Sequence, residues 1–218
     1  KDILQHGKHE DLIRFYKDWY RPELMSLIAV GDIEPSEVEA LFKKYFENIQ
    51  PPALNPPARQ KFQLTDNVEP LISIETDPEL INTTVSVSVK HPLVKRTTYS
   101  EYREALKHRL FTGMLNSRYS ELTLKPDAVN ITATSYFKEL LGDKNAFTLK
   151  ASAKTGKAKE TLEFLLTEVN RTIEHGFSQA EFERQKSAIS NGYKKMAMEA
   201  NTQDSRGLAA AYVRHFMK

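Results

Sequence analysis

The chain begins with a cluster of residue types that bind zinc in many proteins. His6, His9 and Glu10 lie within five positions, directly before a run of apolar residues with helical spacing. Zinc sites on helices use H-E-x-x-H or the inverted H-x-x-E-H. Here the order is His-x-x-His-Glu, which rotates the second imidazole by about 100° around the helix relative to the inverted motif. Since no third ligand is indicated either, we interpret the cluster as a solvated helix start with exposed histidines.

Other stretches with partial catalytic motifs also lack the residues that their chemistry needs. The segment AKTGKAKE lacks the first glycine of a phosphate-binding loop, and Ala158 stands where a magnesium-binding hydroxyl is required. No serine lies in G-x-S-x-G, so a hydrolase nucleophile of that kind has no support. The sequence therefore predicts no catalytic, cofactor-binding or metal-binding residue in this chain.

Arg118 and Tyr119, in the segment NSRYSEL, are the remaining candidates for binding. An arginine can hold a peptide carboxylate or carbonyl through paired hydrogen bonds, but it can also serve a loop or a neighbouring carboxylate within the fold. We favour the second interpretation. The aromatic cluster RFYKDWYR is similarly interpreted as part of a core rather than as a binding face, because its aromatic residues recur at helical spacing.

Composition limits the classes of partner. The 218 residues carry 31 Lys and Arg against 29 Asp and Glu, a net charge of +2, which does not favour a nucleic-acid partner. The chain contains no cysteine, so disulfides and thiolate chemistry are excluded. No apolar run approaches the roughly 20 residues of a membrane span, and a soluble chain is expected. Its start at lysine indicates a processed or excised segment.

A proline-rich stretch divides the chain. Before it, the pattern predicts a helix that ends at Pro22, a short buried strand in LMSLIAV and a helix from Pro35. The stretch QPPALNPPARQ cannot continue a helix or a central strand. We therefore expect residues 1–50 to end one domain, residues 51–62 to be a linker, and residues 63–218 to form the next domain.

The second part alternates strands and helices. Period-two patterns predict strands at 70–76, 81–91, 128–137 and 145–153, with a turn at Gly142 and Asp143. Capping boxes at Thr98/Glu101 and Ser178/Glu181 start two helices, the first running to Asn116. Further helices are predicted at 157–176, with Leu162, Leu165, Leu166, Val169 and Ile173 inward, and at 204–216. This order indicates an α+β fold, a two-layer sandwich in which helices cover a mixed or antiparallel sheet.

Three stretches together resemble the pitrilysin/insulinase family of zinc metallopeptidases. DLIRFYKDWYRPELMSLIAVGDIEPSEVEALFKKYF is similar to the family's segment of helix, Tyr-Arg-Pro, strand, Val-Gly-Asp and helix. LFTGMLNSRYSEL resembles its helix and following Arg-containing turn, and EHGFSQAEFERQKSAI its Gly-Phe-Ser segment. The resemblance extends from about residue 8 to the C-terminus.

The resemblance implies that the chain is a non-catalytic segment. In that family the H-x-x-E-H motif and a distal glutamate lie in a preceding domain, and this sequence contains neither. No catalytic, cofactor or metal residue is carried over, and zinc is expected only in the parent protein. By the same analogy, residues 1–50 are the helix-strand-helix end of the preceding peptidase domain, and residues 63–218 form a non-catalytic metallohydrolase-like domain.

The resemblance leaves two functions open. One is an inactive domain of a zinc endopeptidase that helps to enclose unfolded peptide substrates, with the upstream zinc domain and the second half of the same protein as partners. The alternative is a metal-free scaffold or processing-partner subunit with the same fold. Bacterial relatives are often exported, so a periplasmic or envelope location is expected by resemblance.

The predicted strand around residues 26–30 requires partners that an excised segment has lost. Its apolar side chains and backbone groups would otherwise be exposed. We therefore expect it to pair with the sheet edge of the second domain or with a neighbouring molecule.

Overall fold

The computed structural model describes residues 5–49, 57–58, 60, 62–202 and 204–217. These residues form two compact units, the first drawn from residues 1–60 and 196–218 and the second from residues 61–195. Most of the predicted linker, 51–62, lies outside the described residues. The division into domains at 1–50, 51–62 and 63–218 therefore stays a prediction.

The described residues contain six α-helices, three β-strands and two short 3₁₀ turns. The helices are α1 His9–Trp19, α2 Pro35–Phe46, α3 Tyr99–Thr123, α4 Ala158–His175, α5 Gln179–Met198 and α6 Ser205–Phe216. The strands are β1 Thr83–Pro92, β2 Asn130–Glu139 and β3 Lys144–Ala153, and the turns are Pro22–Leu24 and Ala200–Thr202. Among the described residues, no helix combines the length and apolar character that crossing a bilayer requires.

The strand predicted in LMSLIAV is not formed. Residues 25–30 have no regular structure, and Met25 and Leu27 are 47% and 43% exposed. The expectation that residues 26–30 join the sheet of the second unit is wrong, since that sheet consists of β1, β2 and β3. Their pairing with a neighbouring molecule stays a prediction. A buried strand needs neighbouring strands to satisfy its backbone groups, and this part of the chain has none among the described residues. Without neighbouring strands, the apolar pattern of LMSLIAV is not sufficient to form a strand.

The second unit is built on an antiparallel sheet with strand order β1-β3-β2. In β1, Thr83 lies opposite Ala153 of β3, and Pro92 lies opposite Lys144. Strands β2 and β3 form a hairpin around the predicted turn at Gly142. Helices α3 and α4 contact the sheet, α3 at β2 and α4 at β3 and β1. The predicted α+β fold with helices covering an antiparallel sheet is confirmed.

The strand predicted at 70–76 is also not formed. These residues have no regular structure, and Leu71, Ile72 and Ile74 are 83%, 84% and 84% exposed. The alternating pattern is therefore present in the sequence but is not paired with β1, which is an edge strand of the sheet.

The core of the second unit lies between the sheet and two helices. Leu115 and Tyr119 of α3, Leu149 and Ala151 of β3, and Leu165 of α4 form one buried cluster. Val85 and Val87 of β1, Phe111 of α3 and Phe147 of β3 are among the partly buried residues that pack against it. Because β-strand side chains alternate between faces, the odd-numbered residues of β1, of β3 and of β2 from Ala133 onward face the helices, and a register shift at the start of β2 places Asn130 on the same side.

The buried face of α4 differs from the prediction. Leu165 is buried, but Leu166 and Ile173, which were predicted to point inward, are 40% and 76% exposed. Two of the four positions that the helix buries are Glu168 and Thr172. The inward face is thus partly polar, because those polar groups have hydrogen-bond partners on α3 or within α4. Hydrophobicity alone placed the buried stripe about one residue off, close to 100° around the helix.

Helix α3 starts as predicted but continues beyond its expected end. The Thr98 and Glu101 capping box is confirmed, whereas the helix ends at Thr123 rather than at Asn116. Asn116 does not end the helix because its side chain bonds the sheet instead. Its amide donates to the Ser135 carbonyl at 3.0 Å, and its oxygen accepts from the Ser135 backbone N–H at 2.6 Å. Arg118 is consequently a helical residue and does not lie in a turn.

Candidate functional site: the Arg118 cluster

The candidate Arg118 lies where three helices of the second unit meet. Helix α4 ends at Gly176, whose φ of +67° favours glycine. Helix α5 begins at Gln179, directly after Ser178, whose hydroxyl accepts from the Glu181 N–H at 3.3 Å, and the Glu181 carboxylate accepts from the Ser178 N–H at 2.7 Å. This capping arrangement is the predicted one, and it places the Glu181 carboxylate in front of Arg118.

Arg118 and Glu181 form a paired salt bridge. The guanidinium Nε donates to Glu181 Oε1 at 2.5 Å, and Nη2 donates to Oε2 at 3.0 Å. Nη2 also donates to the Gly176 carbonyl at 2.9 Å. The guanidinium carbon lies 4.6 Å from the centre of the Phe177 ring, a distance at which a cation is attracted to the ring face.

The inner side of the guanidinium contacts α4. Nη1 lies 3.3 Å from Glu168 Oε1 and 3.4 Å from the Thr172 hydroxyl. Glu168 is 3% exposed, and its other carboxylate oxygen lies 3.5 Å from the exposed Arg171. A buried carboxylate is costly unless it is paired, so Arg118 supplies the charge that Glu168 requires. Sequence reasoning missed Glu168 and Thr172, whose only signal was their helical spacing from Leu165.

These contacts perturb the pKa of both partners. Hydrogen bonding from Arg118, together with the Ser178 N–H, lowers the pKa of the Glu181 carboxyl to about 2. The same carboxylate raises the pKa of Arg118 above its ordinary value. Burial raises the pKa of the neighbouring Tyr119 hydroxyl, which donates to the Leu165 carbonyl at 2.9 Å. The Arg118–Glu181 pair is therefore charged over the ordinary range of pH.

The cluster is a structural junction, since every nitrogen of the Arg118 guanidinium already donates to a group of this chain. The interpretation that Arg118 serves a neighbouring carboxylate agrees with this geometry, and the alternative of a free peptide-binding arginine does not. A cavity of about 500 Å³ adjoins the cluster, and Glu121, Arg171 and His175 also line it. The residues that line this cavity carry both positive and negative charges and are not arranged as a catalytic acid, base and nucleophile.

His6, His9 and Glu10 do not form a metal site. Their side chains are exposed at the start of α1, and no group of at least three metal-binding side chains comes together in the described ranges 5–49, 57–58, 60, 62–202 and 204–217. The described residues therefore contain no cluster that fits a zinc ion. That the chain binds no metal and no cofactor stays a prediction.

The aromatic cluster of α1 does not form a core in the first unit. Leu12, Tyr16 and Tyr20 are 70%, 61% and 58% exposed, although the Tyr16 and Tyr20 rings stack at 4.7 Å. The predicted helix is confirmed, whereas its apolar face has no covering layer among the described residues. An apolar face of this extent is typical of a surface that another part of a larger assembly covers.

Arg21, the arginine of the Tyr-Arg-Pro stretch, has a structural contact within the first unit. The residue is 8% exposed, and its Nη2 donates to the Pro57 carbonyl at 2.9 Å. This bond joins the end of α1 to the proline-rich segment within the first unit. The acceptor lies 36 positions away in the chain, so local sequence spacing gives no signal of this contact.

Curated relatives cover the chain almost completely and are much longer than it. It is 24% identical over 205 residues to "Zinc protease PQQL-like" of Arabidopsis thaliana, covering 94% of this chain and 18% of that protein. It is 23% identical over 201 residues to "Probable zinc protease PqqL" of Escherichia coli strain K12, covering 91% of this chain and 21% of that protein. The chain thus spans about a fifth of the length of these relatives.

A solved structure has the same fold. The periplasmic protease PqqL from Escherichia coli matches with a TM-score of 0.82 at 20% identity, covering 98% of this chain and 23% of that one. The sequence model of the family described as "Peptidase M16 inactive domain" matches residues 8–189. This range is most of the chain and includes the three stretches that resemble pitrilysin/insulinase peptidases. The chain therefore belongs to the Peptidase M16 inactive-domain family.

Proposed function

We propose that this chain is a non-catalytic part of a zinc metallopeptidase, in which it helps to enclose unfolded peptide substrates. The observation that carries the proposal is the match of residues 8–189 to a family described as an inactive domain. Relatives named zinc proteases are about five times as long, which leaves ample room for a zinc domain outside this segment. The partners proposed for the chain are that zinc domain and the second half of the same protein.

The apolar surface of the first unit supports a role within a larger chain. Leu12, Tyr16 and Tyr20 present an exposed stripe on α1, and such a surface favours burial against another domain. We place this contact with the upstream domain. A periplasmic or envelope location is also proposed, because the Escherichia coli protease PqqL, which shares the fold, is periplasmic.

Peptide cleavage by the longer protein tests the proposal. A fluorogenic unfolded peptide is incubated with the protein that contains this chain, with a chelator, and after zinc is restored. We expect cleavage that the chelator abolishes and zinc restores. The chain of 218 residues alone, supplied with zinc, serves as the matched sample and is expected to cleave nothing.

Two results would contradict the proposal. Cleavage by the isolated, zinc-loaded chain would place catalytic groups within these residues. Absence of cleavage by the zinc-loaded longer protein would instead favour the metal-free scaffold or processing partner of the same fold.

A further inference from the structure

The face of the sheet that points away from α3 and α4 is polar. Side chains of a strand alternate between faces, and the strand residues that pack into the helix-covered core, such as Val85, Leu149 and Ala151, are odd-numbered. The even-numbered residues therefore form the opposite face, here named the polar face. Its four rows, each given from β1 through β3 to β2, are Thr84, Ser152 and Thr132; Ser86, Lys150 and Thr134; Ser88, Thr148 and Tyr136; and Lys90, Ala146 and Lys138.

The centre of the polar face is open to solvent. Ser86, Lys150 and Thr134, which form one row across the three strands, are all exposed, and so are Ser88 and Lys138. An antiparallel sheet can leave one face to solvent without any ligand. Exposure alone therefore does not indicate a partner, and the charges of this face have to be considered.

The charges of the polar face have one sign. Its twelve positions include three lysines, at 90, 138 and 150, and neither aspartate nor glutamate. Neighbours of opposite charge stabilise a sheet across its strands, yet Lys150 lies between the hydroxyl residues Ser86 and Thr134. Lys138 and Lys150 take part in none of the salt bridges formed among the described residues. The countercharge of these two lysines is therefore open to a partner.

A segment of the chain itself shows how lysines of this sheet hold an extended acidic stretch. Residues 62–67 have no regular structure. Within them, the Thr65 carbonyl accepts a hydrogen bond from Lys90, and the Asp66 carboxylate pairs with Lys144 at 2.8 Å. Lys144 belongs to the even-numbered series of β3. One lysine thus holds a backbone carbonyl and the other a carboxylate, the two groups that an extended acidic peptide offers.

Lys138 and Lys150 are spaced to bind two carboxylates of one peptide. Lys138 lies opposite Ala146, which is four residues from Lys150 along β3. Four residues of a strand span about 13 Å, and the step to the neighbouring strand adds about 5 Å sideways, so the two Cα atoms lie about 14 Å apart. Acidic residues four positions apart in an extended peptide span about 13 Å and project to the same side. Such a peptide therefore matches the two lysines.

We propose that the polar face binds extended peptide segments that carry acidic residues, and that Lys138 and Lys150 hold their carboxylates. The inference rests on the proposed function, which supplies an unfolded peptide, and it adds the chemistry of the segment that this chain contacts. Nucleic acid is the other polyanion that lysines bind. The peptide is favoured because the polar face carries no arginine and the net charge of the chain is only +2.

Fluorescence anisotropy with labelled peptides tests the proposal on the chain of 218 residues. The probe is an unstructured Gly/Ser peptide of about twelve residues, long enough to cross the face, with glutamates four positions apart. A peptide with glutamine in place of each glutamate is its matched control. Low ionic strength is used, because salt screens exposed charges.

Two double variants separate the polar face from the net charge of the chain. Lys138→Gln/Lys150→Gln removes the two lysines of the face. Lys125→Gln/Lys194→Gln changes the net charge equally at two exposed lysines outside the strands. A single-stranded oligonucleotide is titrated in parallel as the competing polyanion.

We expect the glutamine peptide to bind at least about fivefold more weakly than the glutamate peptide, and Lys138→Gln/Lys150→Gln to weaken binding of the glutamate peptide by a similar factor. Lys125→Gln/Lys194→Gln should change that affinity by less than about twofold. Equal loss in the two variants, equal affinity for the two peptides, or tighter binding of the oligonucleotide than of the glutamate peptide would overturn the proposal.

A charge reversal keeps the test decisive if a variant loses binding through misfolding. Lys138→Glu/Lys150→Glu should bind a peptide with lysine in place of each glutamate more tightly than the unsubstituted chain does, and failure to reverse the preference counts against the polar face. The assay contains no zinc and no cleavage step. A longer protein that cleaves while this chain shows no preference for acidic peptide rejects the inference alone, and acidic-peptide binding without cleavage rejects only the peptidase.

Discussion

At the scale of single residues, the stability of the Arg118 cluster depends on which arginine pairs with Glu168. Arg118 and Arg171 both approach this carboxylate, with side chains that are 18% and 56% exposed. Arg118→Ala leaves the buried carboxylate with only the 3.5 Å contact from the exposed Arg171 and should lower the free energy of unfolding by about 3 kcal/mol. Arg171→Ala, the matched control, removes an exposed pair and should cost about 0.5 kcal/mol. Urea denaturation measures both, and equal losses would contradict the assigned role of Arg118.

The pKa of Glu181 predicts a stability that depends on pH. The carboxyl has an ordinary pKa of 4.5 and a folded-state pKa of about 2. Its contribution is therefore complete above pH 4.5 and is lost as the pH falls through about 2. The full shift corresponds to about 3 kcal/mol, an upper figure for a side chain that is 15% exposed.

The variant Glu181→Gln isolates this contribution. The difference in unfolding free energy between the unsubstituted chain and the variant should shrink as the pH is lowered from about 5 to about 2, because the protonated carboxyl resembles the amide. Denaturation at several pH values measures that difference. A difference that stays constant over this range would show that the Arg118–Glu181 pair does not set the carboxyl pKa.

Some contacts of this cluster could be predicted from the sequence, whereas others could not. The Ser178/Glu181 capping box has a local spacing and was predicted. The partnership of Arg118 with Glu181 spans 63 positions, and its place within α3 was misjudged because Asn116 was expected to end the helix. Asn116 bonds Ser135 of β2 instead, a contact that exists only once the sheet has formed.

At the scale of elements, the β2–β3 turn lies against the start of the segment 62–66. Gly142 has a φ of +66°, and a Cβ at this position would clash with the Phe62 carbonyl oxygen. Gly156 has a similar φ of +72° but no atom within 4 Å of a Cβ. Comparing alanine variants of the two glycines therefore separates two contributions to the loss of stability. One is the left-handed backbone conformation, which both share, and the other is the clash with Phe62, which only Gly142 has.

Gly142→Ala should destabilise the chain more than Gly156→Ala. A left-handed conformation costs a non-glycine residue about 1 kcal/mol, and this applies to both variants. The clash at Gly142 should add at least about 1 kcal/mol, or release residues 62–66 from the turn. Thermal or urea unfolding compares the variants, with equal losses excluding a tight contact between Phe62 and the turn.

Elements were predictable where their partners lie within the part of the chain that the structure describes. The strands β1, β2 and β3, both capping boxes and the helix after Pro35 follow from local spacing, and each strand has its neighbours present. The predicted strands in LMSLIAV, residues 24–30, and at 70–76 have the same quality of pattern but no paired neighbour among the described residues. A strand is stable only in a sheet, so local pattern was not sufficient at these two sites.

At the scale of the whole molecule, the chain has features of a part that belongs in a larger protein. Apolar side chains remain exposed on α1, in residues 70–76 and on α4, while the second unit keeps a closed core around Leu115, Tyr119 and Leu165. Family membership accounts for this combination, because the segment covers about a fifth of its relatives. The proposed role as a wall of a peptide chamber follows from membership rather than from a site within the chain.

Photo-crosslinking of bound peptide is the measurement that tests this role most directly. The longer protein is treated with a chelator so that the peptide is not cut, and an unfolded peptide carrying a benzophenone group is irradiated in its presence. Mass spectrometry then locates the crosslinks. We predict a reproducible share of crosslinks within residues 62–195 of this chain, reduced by an excess of unmodified peptide. Crosslinks confined to other parts of the protein would contradict the claim that this domain encloses the substrate.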